Sequence, residues 1–290
     1  MQIPTKKLDN WFEIPVLWIG TWKMWGTTTR DKNNDDEWDI RALKYAISKW
    51  LRCIDSAEMY AGGYSETLLG QAIKNTSREE LFLSSKVRGD NCSYTAIKNA
   101  CQNSLQRLWV EYLDLYYIHW RDARFSLKDA MRAMNELVDE GLIRYIGVSN
   151  FSVESLKEAQ SHSEYPIVAN QVHFNLIYRE PEVSWLLEYC QKNDIMLVAW
   201  RPLEYGDFST PEAKEILDIY SEKYEKTHFQ IALNWIMSHP NVVTLFMSRT
   251  PENIDENLWS LGWKLDELDR KDLSKNFPGQ KDVSNAVPLA

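Results

Sequence analysis

Hydrophobic residues are spaced along this chain in two alternating patterns. Short, nearly continuous apolar runs rich in Val, Ile, Leu and aromatic residues are typical of buried strands. Longer stretches between them are apolar at every third or fourth position, which predicts amphipathic helices. The predicted strands cover 15–21, 53–57, 81–87, 113–120, 143–148, 168–174, 195–201 and 242–247. The predicted helices cover 35–50, 66–75, 93–108, 127–140, 152–161, 182–193, 211–224, 228–239 and 251–261.

Repeated alternation of strand and helix predicts a parallel sheet with right-handed crossovers. A closed barrel is favoured over an open dinucleotide-binding sheet, because no Gly-rich phosphate loop follows the first strand at 15–21. TKKL and WFEI flank Asp9 and Asn10, which predicts a small hairpin before the barrel. Because no linker divides the chain, we expect residues 1–290 to form one (β/α)8 barrel domain. It should carry a short N-terminal β-hairpin and extra helices near the C-terminus.

Composition narrows the class of protein and of partner. Of the 290 residues 26% are charged and 44% hydrophobic, which is typical of a soluble globular protein. A net charge of −9 argues against nucleic acid or an anionic membrane as the main partner. The N-terminus has no apolar signal region and no apolar run approaches the roughly 20 residues of a membrane span. We therefore expect a cytoplasmic protein, with its four cysteines, which form no CxxC pair, as buried hydrophobic residues.

Polar side chains follow three consecutive predicted strands. Asp55 and Tyr60 come at the end of the strand at 53–57, Lys86 ends the next strand, and His119 ends the third. The carboxyl ends of parallel barrel strands lie on one face, so these groups should meet there. Taken singly, each has an ordinary explanation: a helix-capping Asp, a solvated Lys, a core or loop His. Their joint occurrence predicts a catalytic site.

The four groups suit proton donation to a reacting oxygen. A Lys ammonium about 4 Å from a phenolate stabilises it by about 4 kcal/mol at an effective dielectric of 20, or about three pKa units. Lys86 should therefore lower the pKa of Tyr60, with Asp55 keeping Lys86 charged and His119 contacting the substrate oxygen. A general acid of this kind fits reduction of a carbonyl to an alcohol. Since the protein has no hydride donor of its own, a nicotinamide cofactor is implied.

The chain resembles the aldo-keto reductases from about Lys7 to Asn257. The motifs that carry the resemblance are GTWKM (20–24), IDSAEMY (54–60), SSKV (84–87), LDLYYIHW (113–120), EGLIRYIGVSNF (140–151), ANQVHFNLIYR (169–179), AWRPL (199–203) and SRTPENIDEN (248–257). The resemblance implies a (β/α)8 barrel that binds NADP(H), less often NAD(H), with the nicotinamide at the barrel mouth. It also implies a catalytic tetrad of Asp55, Tyr60, Lys86 and His119.

Further site residues follow from the same motifs. Ser149, Asn150 and Gln171 match positions that hydrogen-bond the nicotinamide carboxamide, and Trp200 stands where the family usually has a stacking Tyr. Leu203 matches a pyrophosphate contact. The adenosine end is implied to lie against Ser248, Arg249, Thr250, Asn253, Glu256 and Asn257. The substrate pocket is implied to have apolar walls made by Trp22, Met24, Trp25 and Trp120.

Several positions depart from the family pattern. Trp18, Trp25 and Trp50 stand where relatives often have Gly, which also suggests an engineered or diverged sequence. Arg201 replaces a small polar residue beside the cofactor groove. Asn253 stands at the place of an Arg often used for the 2′-phosphate, so Arg249 is the other candidate and the choice between NADPH and NADH stays open.

The leading hypothesis is a reversible reductase of small aldehydes or ketones, expected to act as a monomer. One alternative is a cofactor-binding barrel without catalysis, as in redox-sensing subunits. Another is a scaffold whose extra indoles block the groove. No metal site is predicted, because the five histidines form no HxH or HExxH pair.

Overall fold

The computed structural model describes residues 3–206, 208 and 210–290. It begins with an antiparallel hairpin of β1 (Thr5–Lys7) and β2 (Glu13–Pro15), as predicted. The ammonium of Lys6 donates hydrogen bonds of 2.6–2.7 Å to the carbonyl oxygens of Met237, His239 and Val242. Because Val242 begins the last strand of the barrel, these bonds tie the hairpin to the barrel's amino-terminal end.

Within the described residues, eight parallel strands close into a barrel in which each strand pairs with the next along the chain and the last, Val242–Phe246, pairs with the first, Leu17–Gly20. The predicted (β/α)8 fold is therefore confirmed. The strands are β3 (Leu17–Gly20), β4 (Cys53–Asp55), β5 (Phe82–Val87), β6 (Leu113–Ile118), β7 (Ile143–Ser149), β8 (Ile167–His173), β9 (Met196–Trp200) and β10 (Val242–Phe246).

Helices surround the barrel and follow its strands along the chain. They are α1 (Asp36–Ser48), α2 (Tyr64–Ile73), α3 (Tyr94–Leu108), α4 (Leu127–Asp139), α5 (Val153–Ser161), α6 (Glu180–Val183), α7 (Leu186–Lys192), α8 (Pro211–Tyr224), α9 (His228–Met237), α10 (Pro251–Leu258) and α11 (Glu267–Asn276). Most begin after a side chain that accepts a backbone N–H of the first turn. Asp35 caps α1 in this way, and Thr250 caps α10.

Two helical stretches differ from the prediction. The single helix predicted over 182–193 is wrong, because α6 and α7 are separated at Trp185, whose backbone is left-handed with φ 63°. Helix α11 was not delimited by the hydrophobic pattern, since Leu273 is its one fully buried residue among those described. A helix with so narrow an apolar face leaves little periodic signal.

The indoles at glycine-like positions do not share one environment. Trp18 and Trp25 are fully buried in the core, whereas Trp50 is exposed at the end of α1. All four cysteines are buried and free, as predicted. In the described part of the chain, no helix has the length and apolarity needed to cross a bilayer.

Candidate active site

A cavity of about 620 Å³ opens at the carboxyl end of the barrel strands. Asp55 ends β4, Ser149 ends β7 and Trp200 ends β9, and all three line it. The alternation of strand and helix places these strand ends on one face, as the sequence predicted.

Asp55, Lys86 and Tyr60 form a buried cluster at one end of this cavity. The Lys86 Nζ donates to Asp55 Oδ2 at 2.5 Å and to the Ser56 carbonyl oxygen at 2.8 Å, and it lies 3.4 Å from the Tyr60 hydroxyl. Lys86 is fully buried, and it reaches the cluster from β5 beneath Tyr60. The second oxygen of Asp55 accepts hydrogen bonds from Ser84 and Gln171. The carboxylate is therefore held from both sides.

This geometry changes the predicted electrostatics of Tyr60. Burial raises the pKa of the Tyr60 hydroxyl well above its usual value, and the nearby Asp55 carboxylate raises it further. Burial also lowers the pKa of Lys86, with Asp55 opposing that shift. The expected lowering of the Tyr60 pKa is wrong for the unliganded protein, because burial and Asp55 both oppose ionisation of the phenol and Lys86 lies nearer to Asp55 than to the Tyr60 hydroxyl. Tyr60 accordingly holds its proton.

His119 lies beside Tyr60, with the two rings edge to face and their centroids 5.8 Å apart. Burial lowers the pKa of His119 well below its usual value, and the charges of Lys86 and Arg88 lower it further. The imidazole is therefore neutral. Its position is supported by Asn150, whose side-chain nitrogen donates to the His119 carbonyl oxygen at 3.0 Å.

Aromatic rings form the wall around this end of the cavity. The ring centroids of Trp22 and Tyr60 are 4.8 Å apart, and those of Trp120 and His119 are 5.2 Å apart. Met24 and Trp25 do not reach the cavity, contrary to the implied pocket wall. A turn in which the Met24 N–H donates to the Thr21 carbonyl oxygen carries both side chains into the core, where they are fully buried.

Side chains implied to bind the nicotinamide lie together in the middle of the cavity. Trp200 donates its indole N–H to Asn150 Oδ1 at 3.1 Å, and the Asn150 amide donates to Ser149 Oγ at 3.0 Å. The indole lies parallel to the ring of His173 with centroids 4.2 Å apart. Gln171 also lines this region. These contacts hold one face of Trp200 and leave the indole as part of the cavity wall.

The residues implied to contact the rest of the cofactor continue along the cavity. Those that line it are Arg201, Leu203, Ser248, Arg249, Thr250, Asn253, Glu256 and Asn257. The Arg249 guanidinium also bonds Asp39 of α1, with Nε 2.5 Å from Oδ1. The structure thus brings every predicted cofactor residue to one groove.

Sequence reasoning missed several lining residues, namely Met59, Phe229, Ala286 and Val287. Ala286 and Val287 belong to the segment after α11, which Glu180 holds by accepting the N–H groups of Ser284 and Leu289. No local motif marks these contacts.

The protein is thus a closed parallel barrel with a Tyr–Lys–Asp cluster beside a cavity at its mouth. Residues 16–275 match the model of the Aldo/keto reductase family. Because the match covers most of the chain, this protein belongs to the aldo-keto reductases.

Individual relatives agree with this assignment. Glyoxal reductase of Bacillus subtilis is 35% identical over 267 residues, which cover 91% of this chain and 90% of that protein. A thermostable aldo-keto reductase solved with the inhibitor epalrestat is 40% identical, with a TM-score of 0.91, covering 94% of this chain and 99% of that one. An aldo/keto reductase from Klebsiella pneumoniae solved with NADP and acetate is 29% identical, with a TM-score of 0.85, covering 99% of this chain and 100% of that one.

Proposed function

We propose that this protein is an NADP(H)-dependent reductase that converts aldehydes or ketones to alcohols. The observation that carries the proposal is the buried Lys86–Asp55 pair, with the Tyr60 hydroxyl 3.4 Å from Lys86 at the end of the cavity. A protonated phenol beside a buried cation can give a proton to a substrate oxygen as that oxygen gathers negative charge.

The residues around the cavity fit a nicotinamide dinucleotide. A volume of about 620 Å³ lies within the range of cofactor sites, roughly 300–1,000 Å³. Ser149, Asn150 and Gln171 would hold the carboxamide, and Trp200 would stack on the ring. When bound, the nicotinamide supplies the hydride for the carbonyl carbon. The structure solved with NADP supports NADP(H) as the cofactor, with NAD(H) as the second choice.

Each member of the cluster has a separate role in this proposal. Tyr60 donates the proton to the carbonyl oxygen. Lys86 stabilises the phenolate left behind, and Asp55 keeps Lys86 charged and oriented through their 2.5 Å contact. His119, neutral and beside Tyr60, orients the carbonyl oxygen for that transfer.

We propose small 2-oxoaldehydes such as glyoxal and methylglyoxal as the first substrates to test. The glyoxal reductase of Bacillus subtilis is similar along nearly its whole length. The aromatic wall of Trp22 and Trp120 favours a small, planar carbonyl group over a large polar one. We further propose a single-domain monomer in the cytoplasm, which size-exclusion chromatography with light scattering and cell fractionation would test.

The decisive experiment measures NADPH oxidation with glyoxal, methylglyoxal and simple aldehydes. Tyr60→Phe should lower kcat by about 100-fold or more, because it removes the general acid. Tyr116→Phe is the matched control: its hydroxyl is also buried, has no hydrogen-bond partner among the described residues and does not line the cavity. Equal turnover by wild type and Tyr60→Phe would show that Tyr60 is not the acid.

A further inference from the structure

The only cation at the far end of the groove, among the described lining residues, is already paired. Arg249 Nε lies 2.5 Å from Asp39 Oδ1, and Arg249 Nη2 lies 2.8 Å from Asp39 Oδ2. The same Nη2 donates to the side-chain oxygen of Asn34. Two parallel hydrogen bonds of this kind fix the guanidinium in one orientation.

Asp39 is built into the fold as the partner of Arg249. It lies fully buried in the first turns of α1, and Asn34 donates to its Oδ2 at 2.8 Å. A buried carboxylate needs a compensating charge, and removing that charge is costly. Arg249 therefore already compensates the charge of Asp39 in the protein without a ligand.

The remaining charges of the groove do not replace Arg249. Arg201 is the other Lys or Arg among the described lining residues. It follows Trp200, and its guanidinium lies 4.8 Å from the ring centroid of Tyr205 and 4.0 Å from the Glu204 carboxylate. Glu256 adds a negative charge at the far end. A phosphate beside Arg249 would therefore lie next to the neutral Arg249–Asp39 pair and the carboxylate of Glu256.

The geometry points to Asp39 as the residue that sets the choice between NADP(H) and NAD(H). This inference rests on the proposed function, in which the nicotinamide lies beside Tyr60 and the adenosine ribose lies beside Arg249. NADP(H) differs from NAD(H) by a phosphate on that ribose. Because Asp39 neutralises Arg249, the phosphate gains little there, and the preference for NADP(H) over NAD(H) is small.

Calorimetric titration with NADPH and with NADH tests this inference without relying on turnover. We expect the two dissociation constants of the wild type to differ by less than about tenfold. Asp39→Asn keeps the size and one acceptor but frees the charge of Arg249. It should raise the preference for NADPH about tenfold or more, as a charge-assisted hydrogen bond to phosphate is regained.

Glu37→Gln is the matched control, because it removes the same charge from an exposed position in the first turn of α1. It should leave the preference unchanged. A wild-type preference for NADPH of a hundredfold, or no change in Asp39→Asn, would overturn the role of Asp39. If neither nucleotide binds the wild type, the proposed function fails as well.

A second variant keeps the test decisive if Asp39→Asn does not fold. Asp39→Asn/Arg249→Met removes both members of the pair, so neither charge is left buried alone, and its preference between the two nucleotides should match that of the wild type. A loss confined to NADPH would mean that Arg249 binds the phosphate despite its pairing, and the inference would be wrong.

Discussion

The indole of Trp200 lies flat on the imidazole of His173, with ring centroids 4.2 Å apart and planes inclined by 11°. The ring of Tyr178 stacks on the other face of His173 at the same distance. Both imidazole nitrogens are also engaged, one with Glu204 at 2.9 Å and the other with Ser284 at 2.8 Å. The proposed platform for the nicotinamide is therefore positioned from beneath by a buried polar and aromatic stack.

Loss of this support should weaken cofactor binding. His173→Ala removes the ring under Trp200, and we expect a threefold to tenfold rise in the dissociation constant of NADPH, since such ring pairs contribute about 0.5–1.5 kcal/mol. His173→Phe keeps a ring of similar shape and should recover most of the affinity. Calorimetry on the two variants decides whether stacking or hydrogen bonding matters more. Equal affinities for His173→Ala and wild type would contradict a supporting role.

Lys86 should matter for stability as well as for catalysis. Lys86→Met leaves Asp55 as a buried carboxylate without its cation, which should lower the free energy of unfolding by about 3–5 kcal/mol. Adding Asp55→Asn removes that unpaired charge and should restore much of the stability without restoring reduction. Chemical denaturation of the single and double variants measures this difference. Equal free energies of unfolding for Lys86→Met and for the double variant would show that the charges of Lys86 and Asp55 do not stabilise each other.

Four exposed tryptophans in the described part of the chain have a left-handed backbone, namely Trp11, Trp50, Trp109 and Trp185, and the last two lie at helix ends. Trp109 ends α3 with φ 56° and is 61% exposed, and Trp185 precedes α7 with φ 63° and is 70% exposed. Only Gly adopts this backbone without steric cost. Trp109→Gly and Trp185→Gly should each raise the free energy of unfolding by about 0.5–1 kcal/mol, measured by denaturant titration.

The control for these substitutions is Trp259→Gly. Trp259 ends α10 with φ −73° and is 64% exposed, so it shares the exposure but not the strained backbone. It should show no gain in stability. If all three glycine variants behave alike, loss of an exposed indole rather than backbone strain explains the effect.

Stability should fall in mild acid because of buried histidines. Burial lowers the pKa of His239 to about 3, with Arg270 adding to the shift. Because the folded pKa is lower than the unfolded one, the unfolded chain binds the extra proton as the pH drops below about 6.5. The neutral imidazole of His239 therefore makes its full contribution to the free energy of unfolding above that pH, and this contribution is lost as the pH falls towards 3.

Because of His239, the free energy of unfolding should fall by about 1.4 kcal/mol per pH unit between about pH 6 and 5. His239→Gln should reduce the slope by that amount, whereas His162→Gln, at an exposed position, serves as the control. Urea denaturation at several pH values measures both. An unchanged slope in His239→Gln would mean that its imidazole is charged in the folded protein.

Local sequence predicted the barrel and most of the groove because both depend on repeated, short-range patterns. Asp55, Lys86 and His119 could be placed on one face from their positions at strand ends, before any distance was known. Met24 and Trp25 could not be placed, because a turn after Trp22 decides which side chains face the cavity. Ala286 and Val287 reach the cavity because Glu180, more than a hundred residues earlier, binds the flanking Ser284 and Leu289.

The sequence by itself determined the alternation of strand and helix, and hence a parallel barrel with its functional groups at the carboxyl ends of the strands. Periodicity and motif spacing are local properties, so they can be identified in the sequence without any knowledge of tertiary contacts. Only the tertiary structure decided the distances and the new pairing: Lys86 Nζ lies 2.5 Å from Asp55 Oδ2 and 3.4 Å from the Tyr60 hydroxyl, and Arg249 pairs with Asp39. The strength of such pairs depends on distance and burial, and residues distant in sequence set both.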